Sequence, residues 1–389
     1  MERVNKLLGG ISYFNNAATT FPKPEEVYDF MNTYYRNSGV NSGRGQNISS
    51  SRLIQDTRNL MLELFHCPSK KVVFTSSATE AINIILQGLS MSDNYTIYIS
   101  PFEHNAILRT LNYLQTLYKL KIVILAVNDK DLSYDLERIK YQFTEGKPNV
   151  VIISHASNVC GVVAPIHDIC TMANQYGSIN IIDMCQTAGL IDTDLSSNIY
   201  DFAVFAGHKT LYAPLGVAGF ICSGDIVLKP LIYGGTGVDS ANPNVPNTIP
   251  ERYEVGSQNV MAIAGLYASL NWLAKIGIDK IHERESNNAN RLLSILEKYS
   301  NIRVVKPLIS MRTIGVISSV FDGYSSDNIG KILNEQGIEV RTGLHCAPLA
   351  HKFIGTFPSG TVRFSVGYFN NNDDFMRLDT ALNYIYENS

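Results

Sequence analysis

Short apolar runs rich in β-branched residues alternate with amphipathic segments through the first two-thirds of the chain. The runs are KKVVFTSS (70–77), TIYIS (96–100), KIVIL (121–125), NVVIIS (149–154) and INIIDM (179–184). Segments between them, such as HNAILRTLNYLQTLY and PIHDICTMANQYG, have the apolar spacing of helices. Nearly continuous apolar strands that alternate with helices predict an α/β fold with a mostly parallel sheet covered on both faces. Ligands of such sheets bind at the carboxyl ends of the strands.

The pattern changes after Gly256. Two long helical patterns are followed by shorter apolar runs, another helical segment and a final helix, DDFMRLDTALNYIYEN. We predict an N-terminal segment (1–14), a large domain (15–256) and a smaller C-terminal α+β domain (257–389). Residues 234–254, which are rich in Gly, Asn and Pro, predict a long ordered loop between them.

Composition and charge exclude several classes of protein. A formal net charge of -3 over 389 residues is not the signature of a nucleic-acid-binding protein. No apolar run is long enough to span a bilayer, and the first residues lack the apolar core of a signal peptide. The six cysteines are scattered without a CxxC pair, which argues against a disulfide framework and a zinc cage. We therefore expect a cytoplasmic protein with reduced thiols and no bound metal, and neither nucleic acid nor a membrane as partner.

Candidate site residues follow the predicted strands at the points where these end. They are Ala78 and Thr79 at the start of a helix, and His104, Asn158, Asp183, Gln186, His208 and Lys209. A parallel sheet would gather all of them at one edge. An acid, a lysine and a helix N-terminus with free N–H groups for a phosphate suit pyridoxal phosphate. The lysine amine forms a Schiff base with the aldehyde, and the aspartate keeps the pyridine nitrogen protonated.

Each of these residues alone has an ordinary structural explanation. Asp183 could cap a helix or form an ion pair, and His104 could be a surface or capping histidine. Lys209 could be a solvated loop lysine, and SSATE could simply begin a helix. Their order and their common position after strands favour the cofactor site.

Several motifs match, in order, those of a known family. They are TSSATEAIN, HASNVCGVVAPI, IDMCQTAG, GHKTLYAPLG, RYEVGSQN and RTGLHCAPLAH. From residue 13 to residue 370 the chain resembles the class V aminotransferases, which are fold-type I pyridoxal phosphate enzymes. Within that family it resembles the cysteine desulfurases and selenocysteine lyases.

The resemblance implies a role for each candidate residue. Lys209 would be the Schiff-base lysine, Asp183 would pair with the pyridinium nitrogen, and His104 would stack on the ring. Gln186 would bind the phenolic oxygen, with Asn158 on the same side. Ala78, Thr79 and His208 would hold the phosphate, and Arg363 would bind the substrate carboxylate. Ser257 would reach the phosphate of a neighbouring subunit, which implies a homodimer. Ala206 departs from the pattern, because many desulfurases have a Ser or Thr there that touches the phosphate.

Cys346 determines which reaction is expected. Alone it would be taken for a small buried hydrophobic residue, but the resemblance places it where desulfurases accept sulfur. We expect His345 and nearby cationic groups to favour its thiolate. The short spacing between Cys346 and Arg363 resembles the compact-loop group, which includes Suf-type desulfurases and selenocysteine lyases and often needs a sulfur-acceptor protein. The expected reaction converts L-cysteine to L-alanine and leaves a persulfide on Cys346.

Other functions stay open on the sequence alone. The same scaffold could act on L-selenocysteine, or as a transaminase or another β-eliminating enzyme, and Cys346 would then be dispensable. A non-catalytic protein that keeps the fold as a binding module would carry no chromophore. A nicotinamide-dependent dehydrogenase is disfavoured, because no GxGxxG follows the early strands.

Overall fold

The computed structural model describes residues 10–37, 48–237, 241–307 and 312–388. Part of the predicted N-terminal segment (1–9) and residues 238–240 of the predicted loop lie outside these ranges. The strands are β1 (Ser12–Tyr13), β2 (Lys71–Thr75), β3 (Thr96–Ile99), β4 (Lys121–Ile124), β5 (Val150–Ser154), β6 (Ile179–Asp183), β7 (Phe202–Ala206), β8 (Ala218–Cys222), β9 (Ile302–Val305), β10 (Val316–Phe321), β11 (Ile338–Glu339), β12 (Arg341–Gly343) and β13 (Thr361–Ser365).

Helices cover these strands. Those before residue 257 are Glu25–Asn37, Ile48–Leu64, Ala78–Gly88, Asn105–Leu117, Leu136–Glu145 and Ile166–Asn174. Those after it are Val260–Ile276, Ile278–Leu296, Ser326–Glu335, Pro348–Phe353 and Asn372–Glu387. Among the described residues no single helix is long and apolar enough to cross a membrane; Val260–Ile276 and Ile278–Leu296, bent by 85°, pass that test only as a pair.

The largest sheet has seven strands in the order β2-β8-β7-β6-β5-β3-β4. Only β8 is antiparallel to its neighbours, β2 and β7. Every residue of β5 and β7 is buried, as expected for strands covered on both faces. The predicted mostly parallel α/β sheet is therefore confirmed. The antiparallel direction of β8 was not predicted.

A second sheet lies in the C-terminal part of the chain. Its four antiparallel strands follow the order β12-β13-β10-β9, and a short parallel pair joins β1 to β11. The helix Val260–Ile276 shares a hydrophobic cluster with the large sheet, although it follows the proposed boundary at residue 256. That boundary stays a prediction. The end of the loop 234–254 is fixed by Glu254, whose carboxylate accepts a hydrogen bond from the Phe74 N–H at 2.7 Å.

Gly219 in β8 provides a test of how tightly the large sheet is packed. A Cβ atom at this position would lie 2.0 Å from the carbonyl oxygen of Val73 and 2.9 Å from the ring of Phe205. We expect Gly219→Ala to lower the free energy of unfolding by about 2 kcal/mol, because the strands must move apart. Urea unfolding followed by circular dichroism measures this. The control Gly235→Ala, where no atom lies within 4 Å of the added Cβ, should match the wild type. Equal stability of the two variants would contradict the packing described.

Candidate active site

A cavity of about 240 Å³ opens at the carboxyl ends of the large sheet, where the second sheet meets it. All the predicted site residues except Ser257 line it: Ala78, Thr79, His104, Asn158, Asp183, Gln186, His208, Lys209, Cys346 and Arg363. Ser257 lines a different cavity, together with Glu254 and Gln258. The sheet thus gathers residues that lie more than 280 positions apart in the sequence.

Lys209 follows β7 in a tight turn. Gly207 begins this turn, and a Cβ atom there would lie 2.7 Å from the carbonyl oxygen of Val217, so only glycine fits without movement. Within the described ranges the Lys209 amine has no ion pair and no side-chain hydrogen bond. A lysine that faces a cavity without an acidic partner is available for covalent chemistry.

Asp183 ends β6 and is 8% exposed. Its Oδ1 accepts a hydrogen bond from the Cys185 N–H at 2.9 Å, which fixes the carboxylate at the cavity wall. Gln186, one turn further on, donates to the carbonyl oxygen of Ala17 at 3.0 Å. A carboxylate held in this way suits a cationic ring nitrogen in the cavity.

His104 caps the helix Asn105–Leu117, because its Nδ1 accepts a hydrogen bond from the Ala106 N–H at 3.0 Å. Burial, and then the Lys209 charge, lowers its pKa to about 4, so the ring is neutral at physiological pH. The neighbouring Glu103 is buried and accepts hydrogen bonds from Ser100 and Ser154, which fix the loop to β5. His104 therefore combines a capping role with a fixed, uncharged ring at the cavity.

The opposite end of the cavity has the features of a phosphate site. The Ser77 side chain caps the helix Ala78–Gly88, and the first N–H groups of that helix are unpaired in the helical pattern. The Nδ1 of His208 is buried and has no hydrogen-bond partner among the residues that the structure describes. Burial, followed by the Lys209 and Lys23 charges, lowers the His208 pKa to about 4. Ala206 also lines the cavity and adds no hydroxyl.

These groups fit pyridoxal phosphate. The helix N-terminus, Thr79 and the unpaired His208 nitrogen match a phosphate, Asp183 matches a pyridinium nitrogen, and Lys209 offers the amine. Within the described ranges no group of three or more His, Cys, Asp or Glu side chains is placed to hold a metal ion.

Arg363 is 2% exposed, and its guanidinium lies between the two sheets. It donates to the carbonyl oxygen of Asn158 at 3.0 Å and to the Asn15 side chain at 3.3 Å, while its Nε has no partner. Burial, and then the charge of Arg341, lowers its pKa to about 9, which leaves it cationic at neutral pH. A buried cation with an unused donor is suited to a carboxylate ligand.

The Cys346 thiol is held by an unusual turn. His345 and Cys346 both have positive φ angles, 48° and 58°. The Asn105 N–H donates to the Cys346 carbonyl oxygen, and the Asn158 side chain donates to that of His345, both at 2.7 Å. The five other cysteines are buried, whereas Cys346 is partly exposed. Cys346 is therefore held at the cavity with its thiol within reach of a ligand.

The expectation that His345 favours the Cys346 thiolate is wrong. Its ring is buried and hydrogen-bonded to Thr361, and burial followed by the Arg363 charge lowers its pKa to about 2. The cation beside the thiol is Arg341, whose Nη2 lies 3.6 Å from Sγ. Arg341 is the first residue of the motif RTGLHCAPLAH, but the sequence alone assigns it no role. Its place in β12, directly opposite Arg363 in β13, depends on strand pairing that the motif does not show.

Comparison with known proteins agrees with this geometry. The family model for class V aminotransferases matches residues 12–378. A probable cysteine desulfurase of Methanothermobacter thermautotrophicus is 29% identical, over 94% of this chain and 93% of its own. A cysteine desulfurase of Shigella sonnei is 29% identical, over 97% of this chain and 93% of its own. The apo structure of a cysteine desulfurase from Thermococcus onnurineus NA1 is similar with a TM-score of 0.90 at 25% identity, covering 100% of this chain and 98% of that one.

The Arg341 contact predicts how fast Cys346 reacts with alkylating agents. We expect Arg341→Met to slow alkylation by iodoacetamide at neutral pH by about tenfold, because the guanidinium stabilises the reactive thiolate. Mass spectrometry of the peptide that contains Cys346 measures the rate. Arg303→Met, in the same sheet but exposed, is the matched control and should react as the wild type does. An unchanged rate in Arg341→Met would show that another group activates the thiol.

Proposed function

Because the chain belongs to the class V aminotransferase family, we propose that it is a pyridoxal phosphate-dependent cysteine desulfurase that converts L-cysteine to L-alanine. The sulfur is left as a persulfide on Cys346. The observation that carries this proposal is that Cys346, with Arg341 at 3.6 Å, lines the same cavity as Lys209, Asp183 and Arg363. The names of the similar proteins support it.

The residues at the two ends of the cavity would hold the cofactor. Thr79, His208 and the start of the helix Ala78–Gly88 would bind the phosphate, and Asp183 would hold the proton on the ring nitrogen. His104, with its neutral ring, would lie against the cofactor ring, and Gln186 would contact its phenolic oxygen. Bound pyridoxal phosphate supplies an electron sink for the bonds at the substrate α-carbon.

Two arginines orient the substrate. Arg341 and Arg363 are paired across β12 and β13, so two positive charges face one small cavity. Repulsion between them is relieved by an anion, and the unpaired Nε of Arg363 offers a donor to it. We place the α-carboxylate of cysteine at Arg363, where charge-assisted hydrogen bonds fix its orientation.

Lys209 and Cys346 carry out the two chemical steps of the proposed reaction, which are proton transfer at the α-carbon and removal of the sulfur. The Lys209 amine faces the cavity without an acidic partner, so it can accept the α-proton of the bound amino acid. The Cys346 thiolate attacks the substrate sulfur: an S–S bond forms, and the Cβ–S bond breaks with its electron pair left on the β-carbon. Protonation of that carbon completes the methyl group, and return of a proton from Lys209 to the α-carbon completes alanine. Arg341 holds the thiolate before the attack.

We also propose a homodimer, a sulfur-acceptor protein and a cytoplasmic location. Ser257 lines a separate cavity in its own chain, which is consistent with a role toward a second subunit. The sulfur must leave Cys346 before the next turnover, so we propose that it passes to a thiol of an acceptor protein or to a small thiol. A reduced Cys346 needs a reducing compartment. L-Selenocysteine is an alternative substrate, since the same groups would bind it.

Cys346→Ala tests the proposed reaction. The variant should still bind the cofactor and show the spectral change on adding cysteine, because neither event uses the thiol. Alanine formation from cysteine should fall at least about a hundredfold, since a methyl group cannot accept sulfur. In the wild type, brief exposure to cysteine should add one sulfur to the Cys346 peptide, and a reductant should remove it.

Cys170→Ala, which removes a buried thiol far from the cavity lining, is the control and should keep alanine production. Full cysteine-to-alanine activity in Cys346→Ala would replace the proposal with a general β-eliminating enzyme. Turnover of selenocysteine alone by the wild type would favour the lyase.

The dimer prediction is tested by sedimentation. The wild type should sediment as a dimer at the concentrations at which it is active. A mixture of Lys209→Ala and Ser257→Ala should be more active than the sum of the two variants measured separately if each site uses residues from both chains, because a mixed dimer contains one site free of both changes. An active monomer would contradict the proposal.

A further inference from the structure

The carbonyl oxygen of His208 accepts an unusual number of hydrogen bonds. The Lys23 ammonium donates to it at 2.7 Å, the Thr19 hydroxyl at 2.9 Å and the Thr20 N–H at 3.1 Å. A carbonyl oxygen has two lone pairs, so three donors leave the peptide that joins His208 to Lys209 little freedom. All three donors come from one short segment of the N-terminal region.

The same segment also holds the next carbonyl group. The Lys23 ammonium donates to the Thr20 hydroxyl at 2.6 Å, and that hydroxyl donates to the carbonyl oxygen of Lys209 at 2.9 Å. Lys23 therefore contacts the His208 carbonyl directly and the Lys209 carbonyl through Thr20. The backbone on both sides of Lys23 is stiffened by Pro22 and Pro24, which restrict the rotation of the chain.

In the described part of the chain no acidic group lies within ion-pair distance of the Lys23 ammonium. Its charge is therefore stabilised only by the oxygen atoms that accept its hydrogen bonds. Burial lowers its pKa to about 7, and its charge in turn helps to lower the pKa of His208. Besides His208, the other titratable groups that line the cavity of Lys209 are His104, Asp183, Cys185, Arg341, His345, Cys346 and Arg363. Lys23 itself does not line that cavity.

We propose that Lys23 is a positioning residue for Lys209: together with Thr19 and Thr20 it fixes the peptide between His208 and Lys209, so that the amine is directed into the cavity. Its positive charge also acts on His208, the residue directly before Lys209. The inference rests on the proposed function only in taking Lys209 as the lysine that binds the cofactor.

The experiment adds pyridoxal phosphate to the cofactor-free protein and follows the visible band. Borohydride then fixes the adduct, and peptide mapping identifies the lysine. Lys23→Met should slow formation of the band by about tenfold, because the turn that carries Lys209 loses its main donor. In Lys23→Met the pH at which the visible band is half converted (its pH midpoint) should rise by about one pH unit, because the nearby cation Lys23 has been removed.

Two further variants separate positioning from general stability. Lys23→Arg keeps the charge and should keep the wild-type pH midpoint, and Lys280→Met, an exposed lysine, should match the wild type in both rate and midpoint. If Lys23→Met does not fold, Thr20→Val removes the hydroxyl between Lys23 and the Lys209 carbonyl and should slow the band similarly. Thr20 is buried and lies outside the cavity lining.

The outcomes distinguish the two proposals. A wild type that forms no adduct on Lys209 would overturn the proposed function. The wild type could form the adduct on Lys209 while Lys23→Met forms the visible band at the wild-type rate and with the wild-type pH midpoint. That result would overturn only the role of Lys23. The role of Lys23 would also be overturned if Lys23→Met and Lys23→Arg had the same pH midpoint of the band, or if Thr20→Val formed the band at the wild-type rate.

Discussion

Asn158 joins the two sheets at the point where the site is assembled. Its side chain donates to the His345 carbonyl oxygen at 2.7 Å, and its own carbonyl oxygen accepts from Arg363 at 3.0 Å. One residue of the turn that follows β5 thus fixes both the turn of Cys346 and the arginine of the second sheet. Without it, buried polar groups on both partners would lose their hydrogen bonds, at about 1–3 kcal/mol for each unpaired group.

Basic side chains outnumber acidic side chains among the residues that line the cavity. Lys209, Arg341 and Arg363 are cationic groups, whereas Asp183 is the acid among its lining residues, and the histidines there have lowered pKa values. The arginines of the second sheet therefore carry most of the positive charge at the cavity. Such a cavity favours ligands that bring negative charge, which a phosphate and an α-carboxylate both do. This balance explains why burial leaves the histidines, rather than the arginines, neutral.

The sequence predicts the parallel sheet and ten of the residues that line the cavity, because strands such as INIID and FAVFA are nearly continuous apolar runs. Their carboxyl ends must meet, so Asp183 and Lys209 could be placed together without a structure. Contacts made across long separations could not be predicted. Asn158 and His345 lie 187 residues apart, and Lys23 and His208 lie 185 apart. The role of Lys23 follows from such a contact, whereas those of Arg341 and His345 follow from strand pairing and burial that the motif does not show.

The burial of five cysteines limits what this chain can do with sulfur. Burial raises the pKa of Cys67 to about 11 and of Cys222 to about 12, and it raises that of Cys160, Cys170 and Cys185 as well. Of these five, Cys185 lines the cavity together with Cys346, but burial keeps its thiol protonated; the other four lie outside the cavity lining. If Cys346 carries sulfur as proposed, the chain has no internal relay and no reserve. Each subunit would release one alanine rapidly, and the pace of every later cycle would be set by whichever thiol outside the chain empties Cys346.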